Sequence, residues 1–256
     1  MMKTAERRVA IFEMLQKEHT LSVQKIADTF SVSPVTVRRD LAGMESQGLI
    51  TAVYGGASIR EGMASESSVD TRIGSRREIK QAIAARGAAL VKDGDSIYVD
   101  CGTTAMEMMR YLQTKRITIV TNSWRALEAC TDFSHCSILL APGKYSPISG
   151  GSLSADTASF LSQYRFDKAF LSAISADIDS GAAVASAEEA EIKHIVMAVA
   201  RQSILLADHT KFGAAAMAVF AGLSDFDQII TDDGMDASMR SELRRHCLKI
   251  IWCDAG

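Results

Sequence analysis

Ser33-Pro34-Val35-Thr36-Val37-Arg38-Arg39-Asp40-Leu41 is the stretch on which the reading of this chain turns. Proline suits the first position of a helix, where its missing N–H removes no bond, so Ser33 stands where an N-cap belongs. Val32 precedes that cap and Val37 is the fourth helical residue, the spacing of a hydrophobic staple. Val37, Leu41 and Met44 then recur at i, i+4 and i+7 and predict a buried stripe. Upstream, Val23, Ile26 and Phe30 form a second stripe on a helix begun by Ser22, and the turn between the helices is Ser31-Val32-Ser33. Two short helices with such a turn have helix-turn-helix dimensions. Val35, Thr36 and Arg39 lie off the apolar stripe, in the half of the second helix that reaches base edges in such motifs. An arginine there donates two hydrogen bonds to a guanine, and Arg38 suits a phosphate. Asp40 is expected to pair with a neighbouring arginine and fix its rotamer. Gln47-Gly48 ends the helix, and Leu49–Val53 followed by Gly55-Gly56-Ala57 predicts a hairpin, a wing carrying Tyr54 beside its glycines.

Composition frames this motif. The 256 residues hold 28 Lys+Arg and 31 Asp+Glu, a net charge of −3 that argues against a protein that simply coats nucleic acid. The surplus is uneven, however. Residues 1–60 carry 8 Lys+Arg against 6 Asp+Glu, and the remainder is acidic, so a mildly basic head precedes an acidic body. The longest apolar run, Ala214 to Leu223, is about half of what a membrane span needs. No apolar segment near the start reads as a signal peptide. Five cysteines, none in CxxC spacing, disfavour a disulfide framework or a zinc site and favour a reducing compartment, the cytoplasm. The expectation is of buried thiols, no metal and no cofactor.

Residues 61–77 lack periodicity and are rich in Ser, Gly and charge, which predicts a linker or a lightly packed bridge between a head of residues 1–60 and a body of residues 78–256. From Glu78 onward, short apolar strands alternate with helices, the pattern of a mostly parallel sheet covered on both faces. The predicted strands include Ser96–Val99, Ile117–Val120, Ser137–Leu140, Ala169–Ser172, Ser203–Leu206 and Ile229–Ile230. The loops that follow five strands are polar. Asp100-Cys101-Gly102-Thr103-Thr104 offers hydroxyls and helix N–H groups to an anion. Thr121-Asn122-Ser123, Pro142-Gly143-Lys144-Tyr145, the loop from Ser172 to Gly181, and Asp208-His209-Thr210-Lys211-Phe212-Gly213 complete the set. In open α/β sheets ligands bind outside the carboxyl ends of the strands. Met106, Met108 and Met109 read as core, and His209 as a hydrogen-bonded structural histidine.

The string from Ser33 to Leu41, with Gly48-Leu49 and Gly55-Gly56-Ala57 behind it, resembles the N-terminal signature of the DeoR family of bacterial transcriptional regulators. The family's wing usually carries Arg and His where this chain has Ala52 and Tyr54. The order of the later segments resembles that family's C-terminal sensor domain: Asp100–Thr104, Thr121-Asn122, Pro142–Lys144, Glu189-Ala190-Glu191-Ile192-Lys193 and Asp208–Gly213. The resemblance implies a winged helix-turn-helix joined to a larger α/β domain similar to ribose-5-phosphate isomerase, glucosamine-6-phosphate deaminase and CoA transferases. It implies a repressor of carbohydrate catabolism genes that binds double-stranded operator DNA, is not an enzyme, and acts as a homo-oligomer controlled by a phosphorylated sugar or related effector. Ser33, Val35, Thr36, Arg38, Arg39 and Tyr54 are then the expected DNA contacts. Asp100, Gly102, Thr103, Thr104, Thr121, Asn122, Gly143, Lys144, Glu189, Lys193, Asp208 and Lys211 are the expected effector contacts. Two alternatives stand beside this: a sugar-phosphate isomerase or deaminase drawing on Asp100, Glu189, Asp208 and Lys211, and a binding module that has lost DNA contact.

Overall fold

The computed structural model of the chain describes residues 4–18, 20–46, 50–59, 69–213, 216–246 and 249–254. It divides into two compact units, residues 1–65 with 215–217, and residues 66–214 with 218–256.

The first unit runs α1 (Thr4–Glu18), β1 (Thr20–Ser22), α2 (Val23–Phe30), α3 (Pro34–Ser46), β2 (Ile50–Val53) and β3 (Gly56–Ile59). Ser22 caps α2 by accepting from the Lys25 N–H, and Ser33 caps α3 by accepting from the Thr36 N–H at 3.2 Å. The turn between them is made at Ser31, whose φ of 51° lets its N–H close back on Ala27 and Asp28. Ile11, Leu15, Ile26, Val37, Leu41 and Met44 pack into one core, so the predicted stripes face each other. Strands β2 and β3 form the wing, and β1, which the sequence pattern did not announce, adds a third antiparallel strand on β3. Gly56 allows that pairing, because a Cβ there would stand 2.1 Å from the Leu21 carbonyl oxygen. The predicted helix end at Gln47-Gly48 and Leu49 lie outside the described residues.

The second unit opens with α4 (Val69–Gly74) and α5 (Arg77–Ala89). The expected linker is therefore helical over its later part; Val69 is buried and its N–H donates to the Ile148 carbonyl. There follow β4 (Ser96–Val99), α6 (Thr103–Glu107), α7 (Met109–Leu112), β5 (Thr118–Thr121), α8 (Trp124–Glu128), β6 (Ser137–Leu140), β7 (Tyr145–Ser146), β8 (Gly151–Ser152), α9 (Ala155–Ser162) and β9 (Lys168–Ser172). Then come β10 (Ser175–Asp177), β11 (Gly181–Val184), α10 (Ala187–Val199), β12 (Ser203–Leu206), β13 (Ala218–Ala221), β14 (Gln228–Asp232), α11 (Ala237–His246) and β15 (Ile250–Cys253). Helices α6 and α7 are separated by a break at Met108, where an N–H bond to the Ala105 carbonyl tightens the turn.

Seven strands form a wholly parallel sheet in the order β15-β14-β12-β9-β4-β5-β6. Its core joins Ile83, Ile97, Val99, Met108, Phe170 and Ile204, and the methionines sit in it as expected. Strands β10, β11 and β13 make a separate antiparallel sheet that the sequence pattern did not announce. Cys101, Cys130 and Cys253 are buried and Cys136 is half-buried, all as free thiols; Cys247 lies outside the described residues. Burial pushes the Cys130 thiol up to about 11, which keeps it protonated and unreactive. Among the described residues no helix is long and apolar enough to cross a membrane.

Candidate functional site

In the first unit most of the expected DNA contacts lie on the outer face of α3. Val35 is 72% exposed, and Arg38 and Arg39 are exposed beside it, while Val37 and Leu41 on the opposite face are buried. The Thr36 hydroxyl lies 2.9 Å from that of Ser33, so these two expected DNA contacts also serve the cap. Tyr54 is fully exposed in the turn between β2 and β3. Asp40 does pair with arginine, but with Arg7 and Arg8 of α1 and not with its neighbours on α3. Its Oδ2 accepts from Arg7 Nε at 2.7 Å and its Oδ1 from Arg8 Nε at 3.4 Å. Asp40 and Arg7 are both buried. The carboxylate thus locks α3 onto α1 from behind and leaves Arg38 and Arg39 to face outward.

In the second unit the chemistry lies along the carboxyl edge of the parallel sheet. Asp100 ends β4 and is 1% exposed. Its Oδ2 accepts from the Ser172 N–H at 2.9 Å and from Lys193 Nζ at 2.5 Å. Lys193 stands on α10, also 1% exposed, with Glu189 one turn earlier at 3.5 Å and the Phe220 ring centroid at 5.5 Å. Burial alone would strip the Lys193 charge, but Asp100 and Glu189 more than offset it, so its pKa lies above the ordinary lysine value. Gly102 turns the chain between β4 and α6 where a Cβ would stand 2.2 Å from the Ser172 hydroxyl. That hydroxyl is buried with no hydrogen-bond partner among the described residues. Thr103 and Thr104 are buried in the same turn.

Thr121 and Asn122 follow β5 on this edge, but their polar groups are taken up inside the fold. Thr121 Oγ1 donates to the Val99 carbonyl and accepts from the Ser123 N–H. Asn122 accepts from the Tyr98 hydroxyl at 2.8 Å and donates to the Ser152 carbonyl. Both brace the loops that carry other residues. Gly143, beyond β6, lines a groove of about 650 Å³ with Trp124, Leu140, Pro142 and Tyr145, and Lys144 is exposed nearby. The other expected effector residues do not line this groove.

At the far side of the edge, Asp208 follows β12 and accepts from the N–H and hydroxyl of Thr210. His209 Nδ1 lies 2.5 Å from Asp232 Oδ2 and its N–H donates to Asp232 Oδ1, so this histidine is hydrogen-bonded as expected. Lys211 follows in a short 3-10 turn. Facing Asp208 is Lys80 of α5, a residue the sequence reading passed over.

Comparison with known proteins matches both units. Residues 7–62 match the DeoR-like helix-turn-helix domain, and residues 75–233 match the DeoR C-terminal sensor domain. The chain belongs to the DeoR family. It is 32% identical to an uncharacterized HTH-type transcriptional regulator of Escherichia coli, YgbI, over 96% of each chain. It is 30% identical to the glycerol-3-phosphate regulon repressor of Escherichia coli, over 98% of this chain and 100% of that one. It is also 30% identical to the transcriptional repressor AccR of Agrobacterium fabrum, over 90% of each. A ribose 5-phosphate isomerase from Methanocaldococcus jannaschii matches 54% of this chain and 55% of that one at 19% identity and a TM-score of 0.40. This DeoR-family chain is therefore a DNA-binding transcription regulator with a sensor domain.

For a DeoR-family sensor, the residue missed in the sequence carried a readable signal. Lys80, Ile83, Ala84, Gly87 and Ala88 form the buried face of α5, so a lysine heads an otherwise apolar stripe. A lysine at such a position is buried at a cost unless something charged meets it.

Proposed function

We propose that this DeoR-family protein is a repressor of carbohydrate catabolism genes whose hold on operator DNA is set by a phosphorylated sugar or a related metabolite. The observation that carries the reading is the outward face of α3, where Val35, Arg38 and Arg39 are exposed while Asp40 of the same helix is held inside by Arg7. A helix so pinned presents its base-reading side chains without further ordering. The effector's polar body fits the carboxyl edge of the sheet. Asp100 and Glu189, fixed by Lys193, accept from hydroxyls, and the Ser172 hydroxyl and the Gly102–Thr104 turn supply donors. The names of the E. coli and A. fabrum relatives, both repressors, support the direction of control. The head is residues 1–60, the sensor residues 78–256, and two or more copies act together on half-sites about one helical turn apart. The site of action is the cytoplasm, and the sensor binds its ligand without converting it.

The test is a titration of the full-length protein against fragments upstream of its own gene, with and without triose, pentose and hexose phosphates. The expected result is preference for one fragment, a log affinity that falls linearly with log salt, and loss of binding with one class of sugar phosphate. No preference among fragments at any salt would sink the reading, and turnover of any sugar phosphate in the same panel would revive the enzyme alternative.

A further inference from the structure

The next described element after the wing is α4, and it is only six residues long. Helices that short are marginal in water unless packing holds them, so the order of α4 depends on its anchors. One anchor is the Ile148 carbonyl, in the turn between β7 and β8. It accepts from the Val69 N–H at 3.0 Å and from Arg72 Nη2 at 2.8 Å, which fills both of its acceptor positions. Beside it, the buried Val69 side chain packs on Gly150. Gly150 has a φ of 78°, and a Cβ there would stand 2.9 Å from Val69 Cγ2. The Lys80 ammonium holds the helix from the other side by donating to the Arg72 carbonyl.

The same hairpin meets the carboxyl edge of the sheet. Strands β7 and β8 pair antiparallel, Tyr145 with Ser152 and Ser146 with Gly151, and the Gly150 N–H returns to the Ser146 carbonyl at 2.8 Å. Ser152 is tied to Asn122 twice. Its N–H donates to the Asn122 carbonyl at 2.8 Å, and Asn122 Nδ2 donates to its carbonyl at 3.1 Å. Gly151 forms a bridge with Ser123. A Cβ on Gly151 would stand 2.7 Å from the Cβ of Cys101, which lies between Asp100 and Gly102. That turn and the hairpin are therefore in contact without slack, and close-packed groups pass a displacement on to one another. Ser149, itself buried, stiffens the hairpin from within by accepting from the Gly151 N–H at 3.3 Å.

We propose that the β7–β8 hairpin is a clasp that converts occupancy of the Asp100–Thr104 turn into order at α4, with Gly151 as its contact on the turn and Gly150 as its contact on the helix. The proposal deepens the reading above and rests on it in one respect, that the effector binds at the carboxyl edge of the sheet. A ligand that fixes the turn fixes Gly151, the hairpin and the Ile148 carbonyl, and α4 is held. Without that ligand the turn can give, the carbonyl shifts with it, and a six-residue helix frays. Ordering and release of a short segment is an established way for a small local shift to be amplified. In the chain α4 follows the DNA-reading unit, so its order bears on the segment through which the two units are covalently joined.

Hydrogen exchange on the full-length protein tests this at the amides of residues 69–74. In ligand-free protein, Ser149→Ala removes the bond inside the hairpin without changing a residue of the turn or of α4. It is expected to speed exchange at 69–74 by about fivefold, the factor that a lost buried hydrogen bond commands, while the amides of α11 keep their rates. Gly151→Ala should act in the same direction and more strongly; if that variant fails to fold, Ser149→Ala carries the test. In the wild type, whichever of triose, pentose and hexose phosphates binds by calorimetry should slow exchange at 69–74, and Ser149→Ala should weaken that slowing. Unchanged exchange at 69–74 in Ser149→Ala, or an equal rise at α11, overturns the clasp. So does a sugar phosphate that binds and leaves 69–74 unaffected. If no sugar phosphate binds, the functional reading falls and takes the occupancy step with it, while the ligand-free comparison still decides whether the hairpin holds α4.

Discussion

The head and the body each bury one charge behind the surface that does the work, and they do so with opposite sign. Asp40, 1% exposed, is met by Arg7 and Arg8; Lys193, 1% exposed, is met by Asp100 and Glu189. In the head one carboxylate is shared by two arginines, behind a helix that shows two more arginines to solvent. In the body one ammonium is shared by two carboxylates, at the sheet edge where the effector is proposed to bind. Two arginines on one carboxylate suit a region that meets a DNA phosphate backbone, and two carboxylates on one ammonium suit a region that meets hydroxyl groups.

The comparison breaks most visibly if the two ions are removed. Lys193→Met leaves two buried carboxylates facing each other, and urea unfolding of the full-length protein should show a loss of about 3–5 kcal/mol. Asp40→Ala removes the carboxylate that buried Arg7 pairs with, but Arg8 already reaches water, so its loss should sit near the lower end, about 3 kcal/mol. Equal losses would mean that the head's ion is as sealed as the body's. On the DNA side, Arg39→Ala should weaken operator binding by about 1–3 kcal/mol, concentrated at particular base pairs. Arg38→Ala should weaken all sequences evenly and lower the salt slope by about one. Identical behaviour of the two would erase the division between base reading and backbone holding.

The smallest effect concerns pH. Lys80 has a pKa of about 8 in the folded protein against 10.5 as an ordinary lysine. Between those values the unfolded chain binds more protons than the folded one, so this group makes stability rise with pH through that window. The melting temperature of the wild type should therefore gain on that of Lys80→Met between pH 7 and 9.5. A gap that is constant with pH would remove the strained ammonium from the account.

How much of this could be read in advance depended on the range of the interaction. Caps, staples and stripes are local, and Ser33, Val37, Leu41 and Met44 fell where their spacing put them. Strands Ser137–Leu140 and Ser203–Leu206 were found with the bounds expected. The antiparallel sheet of β10, β11 and β13 was invisible because its strands are short and alanine-rich, with neither β-branched enrichment nor alternation. Asp40 pairs across 33 residues and Lys193 with Asp100 across 93, and nothing in either local sequence names the partner. Arg72 and Arg76 read as solvated charge in a linker because a charged, Ser/Gly-rich stretch has no period to betray a packed helix.

The strand order has a consequence for the way the protein is made. The central pair of the large sheet joins β4 to β9, so Ile97 must wait for Lys168 to emerge. At usual rates of synthesis, the seventy-odd residues between them take about 4–15 s. The DNA-reading unit, whose helices and wing are complete by residue 59, leaves the ribosome before any of this. Each new molecule thus passes through an age at which it has a reader and no sensor, and only completion of the sheet brings it under metabolic control.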